Sequence, residues 1–438
     1  MKKYCFIALA VTGMAALSVA CSKSGLQKEP FADAPWAVDK TLPVPISFGA
    51  NGLFDIATKG APIYKEGDAP NWNGTTLSIF GAQMDPNLTC SATLFTDPRV
   101  LLDRVSAKVD SKVDREDVVF TSGNNVIHRY YPMVSGSTNR YNYSFVGYHA
   151  PSPTGVGNDE VGNPYVNFNL APSPATNNED ILWARTNAIP FTFDNGSGAG
   201  EVTYNGFNAD YIRNAYNKWM DPESPEYDQA EYEAHLPKLS FTHQAAMLRF
   251  KIKAADARAL STFWDGGVGT GTPILQVGNS FKVAVRQPVA RLNLATGELT
   301  PANTTVVATE YDYTAAPVTP VDYSEGTDYG TGLFVIPGTR VAGTYDERGQ
   351  LTNASEVTAP AIRFTYTNNR SGEVVSVPTE DLPPLELKVP EGGYVAGKIY
   401  TYYITVMSIE EILISAVLSQ EWEEGVFDNT GDNVIPIG

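Results

Sequence analysis

Short runs that alternate apolar and polar residues recur along most of this chain, each closed by Gly, Pro, Asn or Asp. Thr76-Leu77-Ser78-Ile79-Phe80-Gly81 repeats with period two, as do residues 142–148 and 164–168. The same pattern returns at 247–253, 280–285, 333–336, 362–366, 385–389, 398–406 and 412–418. Residues 126–132, 180–184 and 238–243 complete the expected set, the first ended by Pro132. Period two places alternate side chains on opposite faces of a strand. Many short strands with turn signals between them, and no regular alternation with helices, predict an all-β fold of the sandwich type. The 23 Tyr and 19 Phe suit pleated strands, and the 37 Gly and 30 Pro suit the turns between them.

One segment breaks the pattern. Tyr211, Ile212, Ala215, Tyr216 and Trp219 recur at helical spacing, with Asp210 at the start and Pro222 beyond the end. A single apolar stripe of this kind covers a sheet face.

The N-terminus carries an address. Lys2-Lys3 precedes an apolar run from Phe6 to Val11, then small residues to Ala20, with Cys21 directly after. Basic, apolar and small residues in that order form an export signal. The run is too short, and too rich in Ala and Gly, for a membrane span of ~20 residues. Leu17-Ser18-Val19-Ala20-Cys21 resembles a bacterial lipobox, with Leu17 one place further from the cysteine than usual. Residues 1–20 are therefore expected to leave as a lipoprotein signal peptide, with Cys21 lipidated. Its acyl chains, palmitate among them, would hold the chain on a membrane at ~0.8 kcal/mol per buried methylene. The alternative is plain secretion after Ser18-Val19-Ala20, which leaves Cys21 as a free thiol. Residues 21–41 then read as a polar linker, broken by Pro30 and Pro35.

The formal net charge is −18, and Lys2 and Lys3 leave with the leader. Such a chain repels phosphates, so no nucleic-acid partner is expected. Beyond Cys21 the mature chain holds only Cys90. An exported protein with lipidated Cys21 then has no disulfide framework, and buried apolar area must hold it together.

Residues with catalytic or metal-binding chemistry are scattered. His128, His149, His235 and His243 have no second His or Cys at zinc-ligand spacing. His128 and His243 lie inside strand patterns and are expected to be buried and hydrogen-bonded. No nucleophile elbow is present. The glycine-rich run 266–271 lacks the Lys-Ser/Thr of a phosphate loop and reads as a flexible loop. Asp428-Asn429-Thr430-Gly431-Asp432-Asn433 lacks the closing Glu of a calcium loop. No enzyme activity, cofactor or metal is expected.

Several segments together resemble the fimbrillin family, the type V pilus subunits of Bacteroidales. His128-Arg129-Tyr130-Tyr131-Pro132 followed by Tyr143-Ser144-Phe145-Val146-Gly147-Tyr148 is similar to the family's "yyP … FyAyyP" passage. Glu179-Asp180-Ile181-Leu182-Trp183-Ala184 resembles its "DLLyA" element, and Leu239-Ser240-Phe241-Thr242-His243 its "L.F.H" start of a second domain. Leu292-Asn293-Leu294-Ala295-Thr296-Gly297 resembles the "n..tG" turn, and Phe334-Val335-Ile336-Pro337 the "liPQ" strand, with Gly338 in place of Gln. Gly397-Lys398-Ile399-Tyr400-Thr401-Tyr402 and Trp422-Glu423-Glu424-Gly425 resemble the closing "GksYtY … W..g".

The resemblance implies two tandem transthyretin-like β-sandwich domains with Greek-key character, at 42–236 and 237–438. It implies a surface-exposed lipoprotein of the outer membrane that builds a fimbrium with other pilus subunits, as homo- or heteropolymer. In polymerising members an Arg/Lys-specific protease removes the N-terminal segment with the first strand, and a strand of another subunit fills the groove. The first strand here would be about residues 44–50. Lys59 is the preferred cut, with Lys40 and Lys65 as alternatives; equally, these lysines could be solvated loop residues and the strand could stay, as in anchor members. The donor in shaft subunits is C-terminal. Here sixteen residues follow Trp422, and Pro436 removes a ladder donor, so 412–418 could swing out instead. No host or bacterial receptor can be read. The competing function is a lipid-anchored surface glycan-binding protein, with Trp264 among six tryptophans that could stack on sugars.

Overall fold

A computed structural model describes residues 34–48, 74–83, 100–111, 116–132, 142–150, 152–160, 163–170, 180–194, 201–285, 288–302, 309–313, 315–338, 360–390, 393–408, 411–418 and 433–436. The fold is all-β, with short helices at its margins. The helices are α1 (Pro35–Val38), α2 (Ala209–Trp219), α3 (Gln229–Ala234) and α4 (Ala257–Thr262).

The first sheet has seven strands. In space they run Thr242–His243, Leu182–Arg185, Tyr143–His149, Thr76–Gln83, Val100–Ser111, Glu116–Ser122 and Asn125–Val126. The pleat divides neighbouring residues between two cores. Ile79 and Phe145 join one, with α2 and residues 44–48; Phe80 and Val146 join the other on the opposite face. Both faces of 143–148 are buried, although the period-two pattern of the sequence leaves one face for solvent.

The second half is a sandwich. One sheet runs Thr327–Val335, Ala246–Ala254, Ile399–Ser408, Glu411–Leu418 and Asn433–Pro436. The other runs Thr309–Asp312, Leu275–Val285, Ala361–Asn368 and Glu373–Val377. Phe250 of the first lies 5.1 Å from Phe281 of the second, which stacks on Phe364 at 5.9 Å. Ala246–Ala254 and Ile399–Ser408 pair in parallel, flanked by antiparallel neighbours.

A four-stranded sheet crosses between the halves, with Val289–Asn293 paired along Pro164–Asn169. The turn that follows is built by Asn293, whose Oδ1 accepts from the Ala295 and Thr296 amides at 2.9 and 3.2 Å. Gly297 closes it at φ +79°, where a Cβ would come 2.6 Å from the Trp183 ring. Trp183 Nε1 in turn donates to the Leu294 carbonyl at 3.0 Å. Residues 182–184 and 292–297 thus rest on each other.

Several sequence expectations need correction. Of 126–132 only Val126 lies in the ladder, as the end of the strand Asn125–Val126. Beyond Ile127, whose amide donates to the Phe120 carbonyl, the backbone turns to residues 44–46 instead. His128 is exposed, not buried, because Tyr131 takes the inward place on this segment. Of 238–243 only Thr242–His243 is strand, and it pairs with Leu182–Trp183 of the first sheet. Leu239 and Phe241 belong to the first core. Of 385–389 only Leu385–Glu386 is strand, since the Leu387 amide goes to the Pro360 carbonyl and the Lys388 carbonyl accepts from Tyr402 Oη. His243 is buried as expected, hydrogen-bonded through Nδ1 to Oδ2 of the fully buried Asp180. The glycine-rich run 266–271 joins two short strands, Trp264–Asp265 and Thr272–Pro273, as a hairpin.

Candidate functional site

The site is the docking of residues 34–48 on the body. Residues 44–48 repeat with period two: Val44, Ile46 and Phe48 are 0%, 5% and 5% exposed, while Pro45 is half-buried and Ser47 exposed. The buried three enter the core that holds Ile79, Phe120, Phe145 and Phe207. Phe48 meets Phe145 edge-on at 5.6 Å and Phe120 at 6.0 Å. The backbone of the segment is held lightly by comparison. The Ile46 amide donates to the Arg129 carbonyl at 2.8 Å, and the Tyr131 amide to the Val44 carbonyl at 3.0 Å. They flank one antiparallel bridge, Pro45 to Tyr130. Side chains therefore dominate: three buried apolar groups at about 1.5–3 kcal/mol each outweigh two hydrogen bonds at about 1 kcal/mol each.

Tyr131, beside this segment, is 2% exposed, and its Oη is buried with no hydrogen-bond partner. Burial pushes its phenol well above the ordinary tyrosine range. The wall against which residues 44–46 pair thus contains a polar atom at a cost of about 1–3 kcal/mol.

Residues 34–42 cross α2. Its predicted stripe is present, with Tyr211, Ile212, Ala215 and Trp219 buried and Asn208 Oδ1 capping the helix at the Tyr211 amide, 2.8 Å away. Sequence reading missed Arg213. It is 5% exposed and sits on the buried side of the helix. Its Nε donates to the Trp36 carbonyl at 2.9 Å, its Nη2 to the Leu42 carbonyl at 3.3 Å, and its Nη1 to Asp210 Oδ1 at 3.2 Å. Burial pulls its pKa down, against the pull of the Asp210 carboxylate. Asn217 Nδ2 donates to the Ala37 carbonyl at 3.0 Å, and Trp36 meets Tyr216 edge-on at 5.1 Å. Nothing in the helical pattern marks Arg213 or Asn217 as receivers of a distant chain; spacing along one helix carries no information about what crosses it.

Lys40 is exposed, in a turn where the Leu42 amide reaches the Asp39 carbonyl at 3.1 Å. Asp39 Oδ1 accepts from the Thr41 hydroxyl at 2.6 Å and amide at 2.8 Å. The hydroxyl contact first, then the amide, lowers the Asp39 pKa. Cys21, Lys59, Lys65, Cys90 and Trp422 lie outside the described residues. At the other terminus, Glu411–Leu418 is paired on both sides, while Asn433–Pro436 is the sheet edge. Release of 412–418 would break two ladders; release of 433–436 breaks one, and Pro436 stands at its last register position.

The described tryptophans are engaged in packing. Trp264 packs against the second core with Nε1 on the Pro320 carbonyl at 2.8 Å, and Trp219 stacks beside His235 at 4.3 Å. Among the described residues no group of three or more His, Cys, Asp or Glu side chains could hold a metal ion. No described helix is long and apolar enough to cross a membrane.

No protein-family model matches the chain, and no curated protein matches it in sequence. It is similar to the crystal structure of a candidate cell adhesion protein from Bacteroides uniformis, with 15% identity, 88% of this chain and 99% of that chain covered, and a TM-score of 0.43. A candidate cell adhesion protein from Bacteroides ovatus gives 12% identity, 88% and 99% coverage and a TM-score of 0.38. One from Parabacteroides distasonis gives 9%, 90% and 97%, and 0.36. Likeness this distant assigns neither family nor function.

Proposed function

We propose that the chain is a structural adhesion subunit of a cell-surface fimbria, exported as a lipoprotein tethered through Cys21 and assembled by strand exchange. Its two sandwich units would follow the expected 42–236 and 237–438, except that Leu239, Phe241 and the Thr242–His243 strand join the first, and its role is structural rather than catalytic. The observation that carries this reading is the docking of residues 44–48. They are held by one antiparallel bridge, three buried side chains and two backbone hydrogen bonds, at the end of the segment that leads from Cys21. A strand bound in this way is a plug: its removal opens an apolar groove lined by Phe120, Phe145 and Tyr131 beside an unpaired stretch of backbone. Such a groove accepts another extended chain by main-chain pairing and alternate pockets. The proposed cut is at Lys59, which follows residues 44–48 and so would release them with the N-terminal segment; the alternative at Lys40 precedes them and would leave the plug on the body. Partners are further copies or other subunits of the same polymer.

The glycan-binding alternative is less favoured at Trp264 and Trp183, whose rings are half-buried and whose indole N–H groups donate to backbone carbonyls. Limited trypsin treatment of the mature protein tests the proposal. A cut confined to residues 40–65, followed by ladders of polymer on denaturing gels, is the expected result. Protection of that region, or cutting without polymer, would leave an anchor or a monomeric binder.

A further inference from the structure

Residues 34–42 could have crossed the body as an unattached linker. Instead they are gripped by one face of α2, and the grip is directed at backbone. Arg213 reaches carbonyls at both ends of the crossing, Trp36 and Leu42, and Asn217 takes Ala37 between them. Ala34 and Ala37 are 4% and 1% exposed, and the Trp36 ring lies against Tyr216. Two of Arg213's three acceptors belong to the crossing segment, and only Asp210 belongs to its own helix. Departure of the segment would therefore strip a nearly buried guanidinium of most of its hydrogen bonds. A buried charge that loses its partners is costly, so the contact resists opening.

We propose that α2 is a latch for residues 34–42, with Arg213 and Asn217 as its positioning residues, and that this latch sets how readily residues 44–48 leave the first core. The strand itself has two hydrogen bonds to the body, and the crossing segment adds three more immediately before it. Lys40 lies inside the gripped segment, between the contacts at Ala37 and Leu42. A protease needs several residues of extended chain, so a cut there requires the latch to open although the lysine is already exposed. The latch rests on the strand-exchange reading for its purpose, but not for its existence.

The test is amide hydrogen exchange on the full mature chain, with polymer formation followed on the same samples. Arg213→Gln should speed exchange of the Leu42 and Ile46 amides by about tenfold or more, because hydrogen bonds from a charged donor each contribute more than one factor of ten. Asn217→Ala should give a smaller rise, and amides of the Ile399–Ser408 strand should not change. Trp36→Ala loosens the segment while leaving every residue of α2 in place, and decides the matter if Arg213→Gln disturbs the whole fold. A selective rise at Leu42 and Ile46 supports the latch; unchanged rates there in both Arg213→Gln and Trp36→Ala overturn it. A selective rise without polymer leaves the latch standing and counts against the fimbrial reading. Polymer from the native chain with no such rise does the reverse.

Discussion

Phe48→Ala puts the plug to its most direct test. Phe48 is 5% exposed and faces two aromatic rings, so its truncation removes nearly the full transfer free energy and leaves a cavity. Phe-to-Ala changes in cores cost about 3–5 kcal/mol. The three side chains that hold residues 44–48 supply about 5–9 kcal/mol together, so the change removes roughly half of the attachment. The remaining grip is Val44, Ile46 and two hydrogen bonds. If the strand opens separately from the body, exchange at the Ile46 and Tyr131 amides should quicken by about 10²–10³-fold, since 1.4 kcal/mol is a factor of ten. Amides of the second sandwich should keep their native rates. Equal acceleration everywhere would show that 44–48 unfolds only with the whole protein, and would refute the idea of a detachable plug. No change at Ile46 or Tyr131 would refute the burial argument itself.

Tyr131→Phe should be neutral or stabilising by about 1 kcal/mol, because it deletes a buried hydroxyl that has no partner; denaturant midpoints measure this. Gly297→Ala should cost about 2–4 kcal/mol, from a left-handed backbone with a Cβ and a clash with the Trp183 ring, read as a lowered melting temperature and altered tryptophan fluorescence. Stability should fall steeply above about pH 10, the ordinary tyrosine range. Burial raises the phenols of Tyr131, Tyr211, Tyr329 and Tyr402, so they stay protonated when folded and ionise first in the unfolded chain. Their stabilisation is complete below that pH and is lost as pH rises through it; phenolate absorbance that appears together with unfolding checks the sign. His128→Ala should leave stability within about 0.5 kcal/mol by the same denaturation, since the side chain is exposed.

The sequence by itself determined the class of fold, because period two in 398–406 or 247–253 leaves one pleated arrangement that buries Tyr400, Tyr402, Phe250 and Ile252 together. It also determined α2, whose 3.6-residue stripe is equally local. What it could not determine was which segments pair. Residues 126–132 carry a strand pattern, yet the partner of Arg129 and Tyr131 is residues 44–46, more than eighty positions earlier. Leu239 and Phe241 look like the start of a new unit, yet they close the first core. Arg213 has no periodic signature at all, and its meaning comes from two carbonyls about 170 residues away in sequence. Local periodicity follows from the geometry of a single strand or helix. The choice of partner follows from which faces remain apolar after every strand has been laid down, and only the tertiary structure settles that.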